Sequence, residues 1–295
     1  MAYRKFVHIL ILFLFVTVIL TLSSCEKFSG DQAIPAYLSI DTISLTTDYS
    51  SQGTTSQSIT DAWVYVDGDL VGTFQLPARF PVLHQGINKV TIIAGIKKDG
   101  IASTRMEYPF YNIIEKSIRF TPDSTSSIKN LKTTYKANTQ FLWMEDFDNN
   151  AAISLDTTKR SSVKMKKTVL LSDSVFEGSH SGKVELLTDS SYFEELSHSG
   201  YLISTSTQTF LELNFRTNIT LTVGVYLYSS STIYDVPIMS LFPTNEKWKK
   251  VYIDLSTSIN AYSGMSTFRV YFSASKDATV SKGYILLDNC KLITQ

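Results

Sequence analysis

Short alternating segments in residues 141–295 constrain the fold more than any other feature of this sequence. Apolar and polar side chains alternate within each segment, and turn-rich stretches separate the segments. This alternation predicts β-strands with one buried face, because successive side chains of a strand point to opposite sides. The predicted strands occupy residues 183–187, 210–217, 221–228, 248–255, 268–274 and 284–293. Their regular spacing predicts a sandwich or jelly roll rather than βαβ units.

The alternation also sorts the side chains into two sets. The expected core set is aliphatic and aromatic: Leu211, Leu213, Phe215, Leu221, Val223, Val225, Leu227, Val251, Ile253, Leu255, Phe268, Val270 and Phe272. Leu286, Cys290 and Leu292 share one parity in the last strand, so we expect Cys290 to be a small buried hydrophobe. The outward set mixes aromatic rings with polar groups: Glu212, Asn214, Arg216, Tyr226, Tyr228, Trp248, Tyr252, Arg269 and Tyr271.

This outward set is a candidate sugar-binding surface, provided that its strands share a sheet. The tyrosine rings would stack on sugar faces, and the amide and guanidinium groups would bind hydroxyls. The predicted ligand-binding residues are Asn214, Arg216, Tyr226, Tyr228, Arg269 and Tyr271. A solvated outer face carries the same residue types, so a surface without a ligand is the alternative.

Residues 141–295 resemble the galactose-binding-like jelly rolls, whose best-known members are carbohydrate-binding modules. The resemblance is carried by Glu145-Asp146-Phe147, by residues 176–183 (Phe-Glu-Gly-Ser-His-Ser-Gly-Lys) and by residues 287–292 (Leu-Asp-Asn-Cys-Lys-Leu). It implies sugar binding, either on a sheet face or at a loop edge. It also implies a structural calcium ion held by Glu145 or Asp146 together with Asp288, since a hard cation prefers several oxygen ligands. The alternative is that these acids only end strands or cap turns.

Residues 36–121 predict a second, smaller β-sandwich. Two β-rich runs, 62–66 and 70–74, flank Asp67-Gly68-Asp69, which is a strong hairpin signal. The segment 64–73, followed by Gly86 and residues 89–92, resembles a PEGA-type repeat, an Ig-like module of bacterial envelope proteins. Residues 34–111 also resemble the N-terminal part of Bacteroidota-type envelope lipoproteins. Residues 122–140 are rich in Ser, Thr and Lys, and we interpret them as a linker.

The first 24 residues have the pattern of a cleaved lipoprotein signal peptide. Arg4-Lys5 precede an apolar run of about fifteen residues, which suits a signal peptide better than a membrane-spanning helix. Leu22-Ser23-Ser24-Cys25 then has the form of a lipobox. Because of this motif we expect lipidation of Cys25, with residues 25–35 as the anchor and spacer. Lipidation would supply two or more acyl chains, which stable anchoring requires. The expected location is the outer membrane, on either the periplasmic or the cell-surface side.

Charge and cysteine content exclude some other classes. The chain has 27 basic and 27 acidic residues without a sustained basic stripe, so nucleic-acid binding is not expected. Only two cysteines occur, and if Cys25 carries lipid, Cys290 has no partner for a disulfide. Each domain must therefore be held by its own core.

An enzymatic role is not expected from the motifs. Glu194 and Glu195 are adjacent and would diverge on a strand, whereas a glycosidase needs two carboxylates facing each other. The sequence contains no Gly-x-Ser-x-Gly motif, no Walker loop and no zinc-ligand spacing. The sequence therefore predicts an all-β, non-catalytic envelope lipoprotein that binds glycan through its C-terminal jelly roll. The alternative is a structural or assembly component that contacts other envelope proteins.

Overall fold

The computed structural model describes His8 and residues 33–295, apart from 149–151, 171, 173, 205–207, 263 and 277. The predicted signal peptide, Cys25 and most of the spacer lie outside the described residues. The described chain is all-β, with 22 strands and two short helices, α1 (Tyr49–Gln52) and α2 (Ser256–Asn260). None of the described helices has the length and apolar character needed to span a bilayer.

The first domain is a β-sandwich built around a five-stranded sheet. Its strands are β1 (Ala36–Ile40), β2 (Ile43–Leu45), β3 (Asp61–Val66), β4 (Asp69–Gln75), β5 (Ala78–Val82), β6 (Gly86–Lys97), β7 (Arg105–Glu107), β8 (Ile114–Phe120), β9 (Thr125–Ile128) and β10 (Leu131–Thr133). The large sheet has the order β4-β3-β6-β7, with β8 also paired to β6. The opposing layer consists of β5-β1-β9 and the pair β10-β2. The hairpin predicted around Asp67-Gly68 is confirmed, and both of its turn residues have positive φ angles, 51° and 97°.

The segment 122–140 is not the linker that its composition predicts. Strand β9 pairs in parallel with β1, and β10 pairs in parallel with β2, so both strands complete the first sandwich. Leu131 and Tyr135 are 4% and 3% exposed and lie in the core of that sandwich. The composition misleads because the Ser, Thr and Lys side chains of these short strands lie mostly on the solvent side.

The second domain is a two-sheet sandwich. Its strands are β11 (Gln140–Glu145), β12 (Leu155–Thr157), β13 (Lys166–Lys167), β14 (Gly182–Leu186), β15 (Tyr192–Ser197), β16 (Tyr201–Leu202), β17 (Thr209–Thr217), β18 (Leu221–Tyr228), β19 (Ile233–Leu241), β20 (Lys249–Asp254), β21 (Thr267–Ser275) and β22 (Gly283–Thr294). The first sheet has the order β13-β14-β22-β17-β20, with β11 on β22; we name it the β17 sheet. The other has the order β12-β15-β21-β18-β19, with β16 on β21; we name it the β18 sheet. The eight strands of six or more residues alternate between the sheets, except that β18 and β19 pair with each other in one sheet, as in a jelly roll. This arrangement confirms the predicted fold class.

The jelly-roll core agrees with the predicted core set, and all thirteen of those residues are buried in one cluster. The last strand differs in detail. Asn289 has a φ angle of 50°, and the pairing with β17 shifts register between Glu212 and Asn214. This irregularity changes the parity along β22, so Leu287 and Cys290 face the core, whereas Leu286 does not belong to the core cluster. Cys290 is 1% exposed, as expected for a small hydrophobe.

The two domains share a continuous hydrophobic interface. Phe210, Tyr252 and Ile293 of the jelly roll belong to the hydrophobic cluster of the first sandwich. The ring of Tyr108 contacts both Phe210 and Tyr252, at centroid distances of 5.6 and 4.8 Å. One end of the first sandwich therefore packs against the outer face of the β17 sheet.

Candidate functional site

The outer face of the β17 sheet is covered by the first domain, which corrects part of the predicted sugar site. Asn214 is only 2% exposed, and its side-chain oxygen accepts a hydrogen bond of 2.9 Å from Ser56 Oγ. Tyr252 is 1% exposed, and its hydroxyl accepts a bond of 2.9 Å from the backbone N–H of Ser58. These outward-facing residues therefore bind the neighbouring domain instead of solvent.

Glu212 is the centre of a buried ionic cluster in this interface. Its carboxylate accepts hydrogen bonds from the Tyr108 and Tyr135 hydroxyls, at 2.8 and 2.9 Å, and lies 3.1 Å from Lys250 Nζ. Lys291 donates to the Thr54 carbonyl at 2.7 Å. Burial would raise the pKa of Glu212, but the positive charges of Lys250 and Lys291 outweigh it and hold that pKa below its usual value. Since side chains from both domains contribute, the cluster joins the two sandwiches.

Arg216 does not join the tyrosines either. It lies near the end of β17, with its guanidinium 3.3 Å from Glu246 and 5.8 Å from the centre of the Tyr284 ring. Asn214 and Arg216 thus occupy one sheet, whereas Tyr226, Tyr228, Arg269 and Tyr271 occupy the other. The prediction that all six share a surface is wrong, because alternation indicates the face of a strand but not the sheet to which the strand belongs.

Of the predicted calcium ligands, Glu145 and Asp288 lie on opposite sides of their sheet. Glu145 pairs with Cys290 on the core side of its sheet, where its oxygens accept bonds from Phe147 N and from Ser154 N and Oγ. Asp288 is on the other side and pairs with Asn214. In the described part of the chain, no group of three or more His, Cys, Asp or Glu side chains could hold a metal ion. Calcium binding stays a prediction without a ligand set.

Asp146 and Asp288 have protein partners instead. Asp146 accepts a hydrogen bond of 2.8 Å from the Tyr49 hydroxyl across the domain interface. Asp288 is fully buried and accepts bonds from Ser181 Oγ at 2.5 Å and from the backbone N–H of Asn289 at 2.7 Å. Burial raises the pKa of Asp288 to about 7, despite these two hydrogen bonds.

The outer face of the β18 sheet brings the other four predicted residues together. Tyr226 is paired with Arg269 on one side and with Asp235 on the other, while Tyr271 is paired with Gly224. Paired residues of antiparallel strands lie on the same face, so these side chains form one surface. We name this surface the tyrosine face; it consists of Asp156, Arg160, Tyr192, Glu194, Tyr226, Tyr228, Asp235, Arg269 and Tyr271.

Arg160 organises one half of the tyrosine face. Its guanidinium donates to the hydroxyls of Tyr192 and Tyr226, at 2.9 and 3.0 Å. It also forms ion pairs with Glu194 at 3.0 Å and Asp235 at 3.3 Å. The Tyr226 hydroxyl in turn donates to Asp235 at 3.1 Å. Because these groups hold one another, their orientations are fixed before a ligand arrives.

Arg269 organises the other half. Its guanidinium donates to the Ser197 carbonyl at 2.6 Å and to Asp156 at 2.5 Å. Asp156 also contacts His198 Nδ1 at 2.8 Å. Burial acts to raise the pKa of Asp156, but the hydrogen bonds and charges of His198 and Arg269 outweigh burial and lower that pKa. Tyr228, half-buried, lies opposite Thr267, two register pairs beyond the Tyr226–Arg269 pair and on the same face.

Tyr271 supports this face rather than presenting a free ring. A Cβ atom at Gly224 would lie 2.4 Å from the Tyr271 ring, so the ring lies directly on the glycine backbone. The Tyr226 ring contacts it at a centroid distance of 5.1 Å, and Tyr271 is only 3% exposed. The prediction of Tyr271 as a stacking platform is therefore wrong, whereas Tyr226 and Tyr228 remain half-exposed.

Sequence reasoning missed the side chains that complete this face. Tyr192 and Glu194 lie on β15, which was not among the strands predicted from alternation, and Arg160 lies in a loop before it. The predicted divergence of Glu194 and Glu195 is confirmed. This divergence is itself a sign of a strand at residues 192–197, and it could have identified Glu194 as a residue of the outward face. Glu194 contacts Arg160, whereas Glu195 accepts bonds from Thr157 Oγ1 and the backbone N–H of Met165.

Comparisons with solved structures identify carbohydrate-binding modules as distant neighbours. A family 29 module solved with mannohexaose is 9% identical to this protein and has a TM-score of 0.35; the alignment covers 53% of this chain and 92% of the module. A family 22 module from Clostridium thermocellum is 14% identical and has a TM-score of 0.36; the alignment covers 53% of this chain and 95% of the module. No protein-family model and no curated protein sequence matches the chain. Similarity at this distance carries no functional inference, so the function must be inferred from the tyrosine face itself.

Proposed function

We propose that this protein is a non-catalytic glycan-binding protein whose binding surface is the tyrosine face. The observation that carries the proposal is the difference between the two outer faces of the jelly roll. The first domain covers one face, whereas on the other Arg160 and Asp235 are exposed and Tyr226 and Tyr228 half-buried, within a network that fixes their orientations. Sugars need ring faces for stacking together with donors and acceptors for hydroxyls, and this face has both.

Glycan binding by residues 33–295, on an array and then by calorimetry, tests the proposal. Tyr228→Ala removes a half-buried ring whose side chain hydrogen-bonds with Arg269, and we expect a tenfold or greater loss of affinity with little change in melting temperature. Tyr284→Ala is the matched control, because this tyrosine likewise contacts an arginine, Arg216 at 5.8 Å from the ring centre, but belongs to the other sheet. Equal losses in both variants, or no glycan bound by the parent protein, would favour the structural or assembly role instead.

We further propose that the protein is an outer-membrane lipoprotein of the Bacteroidota type, anchored through Cys25. The coincidence of apolar run, small residues and thiol in the sequence supports this proposal. Cys25→Ser should move the protein from the membrane pellet to the soluble fraction and abolish incorporation of labelled palmitate. A variant that still sediments and keeps its mobility would refute the anchor.

A further inference from the structure

Four aliphatic side chains are exposed at one end of the first sandwich. Ile34, Leu70, Leu83 and Ile87 are 60%, 56%, 73% and 62% exposed. An open groove of about 720 Å³ at this end is lined by six apolar residues, Ala33, Pro35, Leu70, Val71, Pro81 and Leu83, and by Asp69 and His84. Ile34 lies between two lining residues, and Ile87 follows the lining residue His84 by three positions, so the four side chains are grouped at one end. Exposed aliphatic residues are ordinary when they are scattered, but such a group marks a contact surface. We name this group, Ile34, Leu70, Leu83 and Ile87, the apolar end.

The apolar end lies far from the jelly roll. Strand β6 runs from Gly86, beside the apolar end, to Lys97, and its twelve residues span about 40 Å. Just beyond Lys97, Lys98 forms a β-bridge with Tyr252 of the jelly roll. The domain interface and the apolar end are therefore at opposite ends of the first sandwich, and the jelly roll cannot cover these four residues.

The chain enters the first sandwich at the apolar end. Ala33 and Pro35 line the groove, and Cys25 precedes Ala33 by only eight positions. Eight residues of fully extended chain reach at most about 26–29 Å. A lipid on Cys25 would thus hold this end of the protein close to the bilayer.

We propose that the apolar end contacts the surface of the bilayer in which Cys25 is anchored, so that the jelly roll is held away from the membrane. This inference rests on the lipid anchor proposed above. Asp67 and Asp69 are exposed beside Leu70, so the contact is apolar and does not depend on attraction to anionic lipids. Leu83 and its neighbours enter the boundary between headgroups and acyl chains, as the apolar faces of interfacial segments do.

A single fluorescent label can test this geometry in the full lipidated chain. Cys25 would be blocked by lipid, and Cys290 is buried, with a pKa raised well above its usual value by burial. An environment-sensitive probe on the Leu83→Cys thiol would then be the reporter. Leu202→Cys is the matched control, since Leu202 is 80% exposed but belongs to the jelly roll. Both proteins are reconstituted into phosphatidylethanolamine–phosphatidylcholine vesicles, with and without brominated acyl chains.

We expect a blue-shifted emission at position 83, quenched at least twofold by brominated lipid, and a water-like, unquenched emission at position 202. Adding anionic lipid should leave the shift unchanged. Protein that sediments with vesicles while position 83 stays water-like would overturn the inference and leave the anchor intact. A blue shift without bromine quenching would mean that a protein surface covers the apolar end, which also overturns it. Protein that fails to sediment would refute the anchor, and the inference with it.

Discussion

Removing the charge of Glu212 should cost far more stability than removing the charge of a comparable surface glutamate. Glu212→Gln keeps an acceptor for Tyr108 and Tyr135 but leaves Lys250, whose side chain is 3% exposed, without a counter-ion. Breaking a buried ion pair by removing one partner typically costs about 3–5 kcal/mol. Because one kcal/mol shifts the melting temperature of a protein of this size by about 2–4 °C, we expect a fall of at least about 6 °C.

Glu185→Gln is the matched control on the same sheet. Glu185 has two lysine partners, Lys183 and Lys282, each at 2.7 Å, but its side chain is 35% exposed. Solvent screening limits such pairs to about 0–1 kcal/mol. Urea unfolding of residues 33–295 gives both free energies. Adding Lys250→Met to Glu212→Gln removes the unpaired charge and should recover part of the lost stability. The double-mutant cycle of the two substitutions then gives the interaction energy of the pair. If the two glutamine variants differ by less than about 1 kcal/mol, the buried cluster does not act as a charged unit.

Two further predictions concern single residues of the jelly roll. Asp288 has a folded pKa of about 7 against about 3.9 when unfolded, so the folded chain holds the proton more tightly. Wild-type stability should therefore fall as pH rises from about 4 to about 7, by at most about 1.4 kcal/mol per pH unit from this group. Asp288→Asn should lack this contribution, so the difference in unfolding free energy between wild type and variant should change between pH 5 and pH 8. Urea titrations that give the same difference at both pH values would contradict the prediction. Gly224→Ala should displace the Tyr271 ring, cost about 1–3 kcal/mol and weaken glycan binding, measured by melting and calorimetry; a variant with unchanged melting and affinity would refute the close contact.

The sequence predicts the two sandwiches and the jelly-roll core because burial imposes alternation on each strand separately. Val223, Val225 and Leu227 show this, since all three face the core as predicted. It does not predict which strands share a sheet, because pairing depends on contacts between distant segments. Alternation therefore groups Asn214 with Tyr226, although their strands belong to different sheets.

The candidate site is less predictable than the fold for a related reason. An outward-facing polar residue looks the same in the sequence whether solvent or another domain covers it. Glu212 and Asn214 have the alternation of surface residues, yet the first sandwich buries both. Arg160 lies outside any predicted strand, so only the folded chain shows that it joins Glu194 to Asp235.

The long-range pairing of both domains has a consequence for the order in which the chain folds. Strand β2 cannot complete its hydrogen bonds until β10 is available, and Ser44 Oγ donates to the Leu131 carbonyl 87 residues later. Strand β22 pairs with β11, β14 and β17, so the jelly roll stays incomplete until residues 283–294 are available for pairing. Such non-local pairing is slow and leaves strand edges exposed in the meantime. A chain that lacks its last strand should therefore aggregate more readily than the complete chain.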